Sequence, residues 1–479
     1  MRTLYFWGIA ATLVSAAFGQ AREMWRYEFA PSQNQHVQLE RVARLHNGAW
    51  LLLGARWNPT SGYDALAICL APDGAELWSY EADGAQFDDA FVDGIEFRNE
   101  FALLGRFVDA DGQLQTQVHF VSSTGALQRV ALQTHPGGGQ LRPLRFGQHY
   151  DVGACLYAEW INSSGSAATT VFSLSNFLYE DLYPMRPWGV SYAPYSLDRQ
   201  TEVAGIVASP TQFVDARFTL KSQLINSYSG PARGFDAPLA LASTPLSAPT
   251  EMTYVAIVSE GFYTGDDVVL LACRLGPLRW GYRYDYLLQD DSVESLQVDA
   301  QGRAHVLVRT VMWRGEPFET AILRLLRFSL GGALEEDVLL NIPHRTDWGI
   351  LRLAPGGQRY LAAPRLLGRI GANGQFAWRF DPNLIVHDLF PEPDGSLVVA
   401  GERPIYHQQG YLMGYRLAVV KYALRPDPNG DGCVDDADLL TTLFAFGQSG
   451  LDLAADVNGD GVVDDADLLQ VLFAFGEGC

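Results

Sequence analysis

Asp427, Asn429, Asp431 and Asp438 place oxygen-bearing side chains at positions 1, 3, 5 and 12 of a 12-residue loop, with Gly432 at position 6. Asp456, Asn458, Asp460 and Asp467 repeat the pattern around Gly461, 29 residues further on. Calcium takes six to eight hard oxygen ligands, and a loop of this length wraps one ion when the backbone carbonyl at position 7 joins the set. Cys433 and Val462 supply that carbonyl here. Asp435 and Asp464 fall at position 9, where contact is often made through water. The glycine permits the sharp turn between the two ligand clusters. The chemistry implied is the binding of two calcium ions, one per loop.

The elements that hold these loops depart from a helix–loop–helix arrangement. Ala423-Leu424-Arg425-Pro426 and Pro428 exclude a helix before the first loop, and position 12 is Asp where the longer Glu is usual. Each loop instead runs directly into one helix, expected over 437–446 and 466–475 and stopped at Gly447 and Gly476. Loop plus following helix, twice, resembles the type I dockerin module over residues 427–479. The resemblance implies a small α-helical EF-hand-type calcium module, placed here at 425–479, with halves related by a pseudo-twofold axis. It also implies a cohesin-like protein partner, met by loop positions 10 and 11, which are Asp436, Ala437, Asp465 and Ala466. The two pairs are identical, so the partner could be met in either of two orientations. Asp at position 10 departs from the hydroxyl residue often found there. The pseudo-twofold brings the module's ends together, so Cys433 and Cys479 are expected to form a disulfide, which export permits. Cys69, Cys155 and Cys273 lie in apolar strand-like runs and are expected to be buried thiols.

Residues 427–479 hold 11 Asp, one Glu and no Lys or Arg, which is −12 of the chain's −21. That self-repulsion couples folding of the segment to cation binding. No basic stripe runs through the remainder, which argues against a nucleic-acid partner.

At the other end, Arg2 is followed by an apolar run from Leu4 to Val14 and by Ala17-Phe18-Gly19, a small-x-small site. Residues 1–19 read as a bacterial signal peptide. The alternative is an N-terminal membrane anchor, for which the apolar run is short. A secreted or cell-surface protein without a membrane span after signal removal is expected, as a monomer.

Between these ends, residues 22–424 alternate short strand-like runs with turn dipeptides: Asn47-Gly48, Asp73-Gly74, Asp111-Gly112, Asn373-Gly374 and Asp394-Gly395. A phrase in which a glycine turn leads to an aromatic strand recurs, as Gly74-Ala-Glu-Leu-Trp78-Ser-Tyr80, Gly276-Pro-Leu-Arg-Trp280-Gly-Tyr282 and Gly374-Gln-Phe-Ala-Trp378-Arg-Phe380. The unit is about 50 residues and four strands long. Eight such units predict a mostly β chain folded as a single eight-bladed β-propeller, seven blades being the alternative. The phrase resembles the repeats of PQQ-like bacterial propellers. No quinone-binding acidic constellation maps onto it. The strand Leu417–Leu424 is placed to pair with Trp25–Phe29 and close the ring.

No Gly-x-Ser-x-Gly elbow, His-Glu-x-x-His or phosphate loop is present. Carboxylates suited to glycosidic chemistry are many, among them Asp88, Asp89, Asp93, Glu159, Asp198, Asp266, Asp267 and Asp347. Trp57, Trp160, Trp188, Trp313 and Trp348 lie near loops and could meet a carbohydrate, although most are expected to pack between blades. The sequence therefore reads as an exported, non-catalytic propeller with a calcium-dependent docking module. The alternatives are a propeller glycosidase or lyase, active in polysaccharide metabolism and carried by that module, and a module that serves only as a cap or surface-retention element.

Overall fold

The glycines of the five hairpin dipeptides all take a φ between 76° and 85°. At three of them the preceding Asn or Asp accepts a hydrogen bond from the amide two residues on: Ala49 to Asn47 (3.0 Å), Ala75 to Asp73 (3.1 Å) and Ser396 to Asp394 (3.0 Å). This local chemistry reverses the chain without a ladder bond, which is why Asn-Gly and Asp-Gly punctuate the strands.

The structure, a computed structural model, describes residues 21–477 apart from 30–35, 84–87, 136, 150–152, 162, 164–166, 176–178, 184–185, 193–200, 209–213, 221–222, 231–239, 244–251, 261–265, 274–277, 314–319, 343–347, 355, 372–373, 393, 407–408, 410–411, 430–432 and 451–452. The expected leader at 1–19 lies outside the described residues, as do Asp431, Gly432, Cys479, Asp198 and Asp347.

The chain is mostly β. Its strands form eight four-stranded antiparallel sheets. Seven are built from consecutive strands, spanning 37–82, 90–133, 140–183, 186–230, 240–284, 290–339 and 350–380. The eighth takes Ile385–Pro391, Leu397–Tyr406 and Leu412–Leu424 from the end of the β region and Ala21–Phe29 from its start. In that pair Trp25 faces Lys421 and Phe29 faces Leu417. The first strand of each sheet touches the first strand of the next, from Val37–Arg44 through Ala90–Phe97 to Ile385–Pro391, and that last strand touches Val37–Arg44 again.

Apolar clusters lie between consecutive sheets. One joins Trp50 and Leu52 of the first sheet to Val398 and Val419 of the eighth, and another joins Leu51 and Trp78 to Phe91 and Leu103. The recurring phrase explains part of this packing. A Cβ on Gly74 would lie 2.4 Å from the Trp25 ring, one on Gly125 2.8 Å from Trp78, and one on Gly332 2.7 Å from Trp280. In each case the turn glycine of one sheet lies against the tryptophan on the outer strand of the sheet before it. A side chain at the glycine would separate the two sheets.

Helix α1 (Asp436–Ala445) and helix α2 (Asp465–Phe473) follow, each starting one residue before and ending one or two residues before the span expected from the sequence. Asp435 and Asp464 cap them, accepting from the amides of Ala437 and Ala466, while Asp438 and Asp467 reach back to the cap backbone. The reciprocal cap makes Asp435 and Asp464 the N-cap residues, so each helix begins at the Asp that follows. The helix ends pair crosswise. Gly476 donates to the Val434 carbonyl (2.8 Å) and Gly447 to the Val463 carbonyl (2.8 Å), and these partners share the 29-residue offset of the loops. Val434, Val471 and Ala474 form the small core beneath. No helix among the described residues is long and apolar enough to cross a membrane.

Candidate functional site

The two loops start from equivalent sequences and reach different surroundings. In the second loop Asp456 is 1% exposed and Asp467 0%, and Asn458 is buried. Asp467 accepts from the amides of Val457 (2.8 Å), Asn458 (3.1 Å) and Asp464 (2.9 Å). Asp456 accepts from Gly459 (2.8 Å), Asp460 (3.1 Å) and Gly461 (2.9 Å). Burial pushes both carboxyls above the usual range; the amide donors oppose it, and the neighbouring carboxylates add to it. In the first loop Asp438 accepts from Asn429 (3.1 Å) and Asp435 (3.0 Å) and is fully buried, whereas Asn429 is exposed.

This donor set fits calcium. Buried carboxylates gathered without a Lys or Arg in their own segment are costly unless a cation joins them. Asp427, Asn429, Asp431, Asp438 and the Cys433 carbonyl would hold one ion. Asp456, Asn458, Asp460, Asp467 and the Val462 carbonyl would hold the other. Asp435 and Asp464 have a second task, helix capping, that the ligand pattern alone did not reveal.

The burial of the second loop comes from the β region. Gly356 donates to the Gly459 carbonyl (2.7 Å), and the fully buried Gln358 amide donates to the Asp456 carboxylate (2.7 Å). Arg369 donates to the Leu453 carbonyl (3.2 Å). Gly395 lies against Asn458, where a Cβ would meet its Cα at 3.0 Å. The seat is thus made by turns of the seventh and eighth sheets. Meanwhile Asp436, Ala437, Asp465 and Ala466 are all exposed. Beside them Phe444 and Phe473, at equivalent places on α1 and α2, are 83% and 84% exposed, flanked by exposed Leu440, Leu443, Leu469 and Leu472.

A second concave feature lies where the first strands meet. A cavity of about 680 Å³ is lined by Glu40, Arg41, Arg44, Val92, Leu144, Arg145, Arg352, His387, Asp388 and Phe390, among others, from five sheets. Arg41 pairs with Asp93 (2.8 Å) and Arg352 with Asp388 (2.7 Å). The other oxygen of Asp93 accepts from the amide of Phe146 (2.8 Å), beside Arg145. Burial, followed by the nearby Arg41 guanidinium, lowers Arg145 to about 10; Arg352 acts the same way, while Asp93 and Asp388 oppose it. Sequence reasoning named Asp93 and missed the arginines. The signal these first strands share is a charged residue near the middle, which the structure places after a bulge. The bulge falls just before Arg41, Asp93, Arg145 and Asp388.

Of the other acidic candidates, Asp89, Glu159 and Asp267 are engaged structurally, and Asp88 is exposed. Asp89 accepts from the Val108 amide (2.8 Å), Glu159 lies 3.8 Å from Arg142, and Asp267 pairs with Arg283 (2.5 Å). Asp267, Asp285 and Asp291 bring oxygens within 4.8 Å of one another. Asp291 accepts from Thr310 (2.5 Å) and the Tyr286 amide (2.8 Å), and burial drives its carboxyl up to about 7. Of the tryptophans, Trp57 packs on Tyr63, Trp160 stacks on His135 at 4.0 Å, and Trp348 packs against the cluster between the seventh and eighth sheets. Trp313 is exposed, and the Trp188 side chain lies outside the described residues.

No family model matches the chain, and no curated protein matches it. Among solved structures it is similar to the quinohemoprotein alcohol dehydrogenase of Comamonas testosteroni, at 10% identity over 86% of this chain and 77% of that one, with a TM-score of 0.46. It is similar to an ulvan lyase, a polysaccharide lyase, at 9% identity over 83% and 96%, TM-score 0.41. The WD40 domain of Neurospora crassa Pan2 matches at 9% identity over 84% and 95%, TM-score 0.40. No activity or site is carried over from them.

Proposed function

We propose that the chain is an exported, non-catalytic eight-bladed β-propeller that binds a ligand on its axis and docks to a cohesin-like protein domain through a calcium-loaded, dockerin-like C-terminal module. The observation that carries the docking reading is the paired exposed face. Phe444 and Phe473, with the acidic–alanine pairs Asp436-Ala437 and Asp465-Ala466, stand at equivalent positions on two helices that calcium loops begin. Exposed aromatic residues of this size are uncommon on a free surface and are enriched at interfaces. The circuit of contacts between first strands, and the pairing of Ala21–Phe29 with Leu412–Leu424, support a closed ring of eight blades. The axial carboxylates Asp93 and Asp388 are each held in an arginine pair, which suits binding better than general acid catalysis. A Cys433–Cys479 disulfide is part of this reading. Val434, next to Cys433, donates to the Glu477 carbonyl (2.9 Å), which brings the module's two ends together.

A second reading is favoured by a separate observation. The contacts of Gly356, Gln358 and Arg369 with the second loop support a module that also caps the seventh and eighth sheets. The two roles are compatible, because the seat uses the loop and leaves both helix faces open.

Binding of the full chain to an immobilised type I cohesin domain tests the proposal. Capture in calcium, release by chelator, and loss in the double variant Phe444→Ser, Phe473→Ser are expected. Absence of capture in calcium, or capture that persists in chelator, would overturn the docking role.

A further inference from the structure

We propose that the second calcium site is shared between the module and the β region: Gln358 is a positioning residue for Asp456, so that occupancy of the second loop, and not of the first, fixes the module to the seventh and eighth sheets. The inference rests on the calcium reading and adds to it a residue 98 positions away in sequence. Gln358 is fully buried and immediately precedes the strand Arg359–Ala363. Its Nε2 donates to Asp456 Oδ2 (2.7 Å) and, at longer range, to the Asp456 carbonyl (3.3 Å). Oδ2 also accepts from the Gly461 amide (2.9 Å), while Oδ1 accepts from the amides of Gly459 (2.8 Å) and Asp460 (3.1 Å). Asp456 is thereby held from the loop and from the β region at once. Gln358 Oε1 has no hydrogen-bond partner among the described residues. It lies beside Gly459, where a Cβ would approach it to 3.1 Å. A buried carbonyl oxygen left without a partner is costly, and a water or a hard cation satisfies such an atom. The β region thus places one donor on the loop's first carboxylate and one unused acceptor against its backbone.

The donor is neutral, and its role depends on that. A lysine or arginine at this place would neutralise Asp456 and compete with a metal ion, whereas an amide orients the carboxylate and leaves its charge in place. Arg369, the charged member of the seat, donates instead to the Leu453 carbonyl (3.2 Å). Outer partners of this kind contribute roughly 10- to 100-fold to metal affinity. Linkage makes the effect reciprocal: a seat that raises calcium affinity by a given factor is itself favoured by calcium through the same factor. The contacts of Gly356, Gln358, Arg369 and Gly395 fall on residues 453–461. In the first loop Asp427 is half-buried and Asn429 exposed, so loops of one pattern take unequal parts in holding the module.

Hydrogen exchange of the Gly356 amide in the full chain tests the shared site, because its acceptor, the Gly459 carbonyl, belongs to the module. Protection of Gly356 in calcium should exceed that in chelator by roughly 10- to 100-fold, and Asp427→Ala should preserve the gain. Calorimetry with calcium in the Asp427→Ala background isolates the second loop, and adding Gln358→Ala should lower its affinity roughly 10- to 100-fold. Gln358→Ala alone should leave the first affinity unchanged, which also checks folding. Should Gln358→Ala not fold, Gln358→Met keeps the volume, removes the donor and should give the same loss. Gly356 protection equal in calcium and chelator, or a second affinity indifferent to the substitution, would overturn the shared site and leave two calcium loops standing. A chain that binds no calcium would overturn the calcium reading and the shared site together.

Discussion

Replacing Gly356 by alanine should lift the second calcium loop from its seat on the seventh sheet. A Cβ at this position would lie 2.6 Å from the Gly459 carbonyl oxygen, 2.6 Å from the Gly461 amide nitrogen and 2.7 Å from the Asp456 carboxylate. Two of these are backbone atoms of the loop, so no side-chain rotation relieves the overlap. Either the overlap is accepted, at about 1–3 kcal/mol, or the surfaces part. Parting breaks the Gly356–Gly459 bond, worth about 1 kcal/mol, and the Gln358–Asp456 bond to a charged group, worth about 1.5–3 kcal/mol. The two costs are alternatives, so docking should weaken by about 1–4 kcal/mol, roughly 5- to 700-fold. Because Asp456 is held by Gln358, calcium affinity at the second loop should fall about tenfold or more, as when an outer partner of a metal ligand is lost, while the first loop is unaffected. Hydrogen exchange of amides 456–463 in the full chain reads the undocking, and calorimetry reads the two sites. Unchanged exchange together with two unchanged calcium affinities would show that the seat has no energetic role.

Asp291, with its folded pKa near 7 against an ordinary value near 4, binds its proton more readily in the folded chain. Stability from this group is therefore fully present below about pH 4 and is lost as pH rises to about 7, by at most about 4 kcal/mol. Denaturant midpoints for Asp291→Asn should show that slope flattened, and an equal slope in variant and parent would contradict it. Gly125→Ala, which adds a left-handed φ penalty to an overlap with Trp78, should destabilise the β region by about 2–4 kcal/mol in urea titrations. Cys433→Ser should cost the module up to about 4 kcal/mol, the chain-entropy value for a loop of this length. Mass spectrometry of native protein should find Cys433 and Cys479 linked, and two free thiols there would exclude the bond.

The two functional features were unequally legible in the sequence. The oxygen-bearing loops could be read because their side chains lie within one short stretch each, so spacing along the chain bounds their arrangement in space. The turns could be read for the same reason: Asn47-Gly48 and Asp394-Gly395 settle their own geometry locally. Gly74 and Gly125 were visible as turn residues, but their packing against Trp25 and Trp78 depends on which sheets become neighbours. The axial cavity was the least legible. Arg41, Arg145 and Arg352 lie more than a hundred residues apart in sequence and meet only through the circuit of first strands, and nothing in their local segments marks them as neighbours. Nor does the sequence distinguish the two acidic loops. Their difference in burial arises from Gly356, Gln358 and Gly395, which belong to distant turns.

Calcium calorimetry of the full chain, followed by far-ultraviolet dichroism in chelator, is the most direct measurement. Two ions should bind per chain, Asp427→Ala should remove only one of them, and chelation should abolish the signal of α1 and α2. A chain that binds no calcium and keeps both helices in excess chelator would contradict the calcium-dependent module on which the docking role depends.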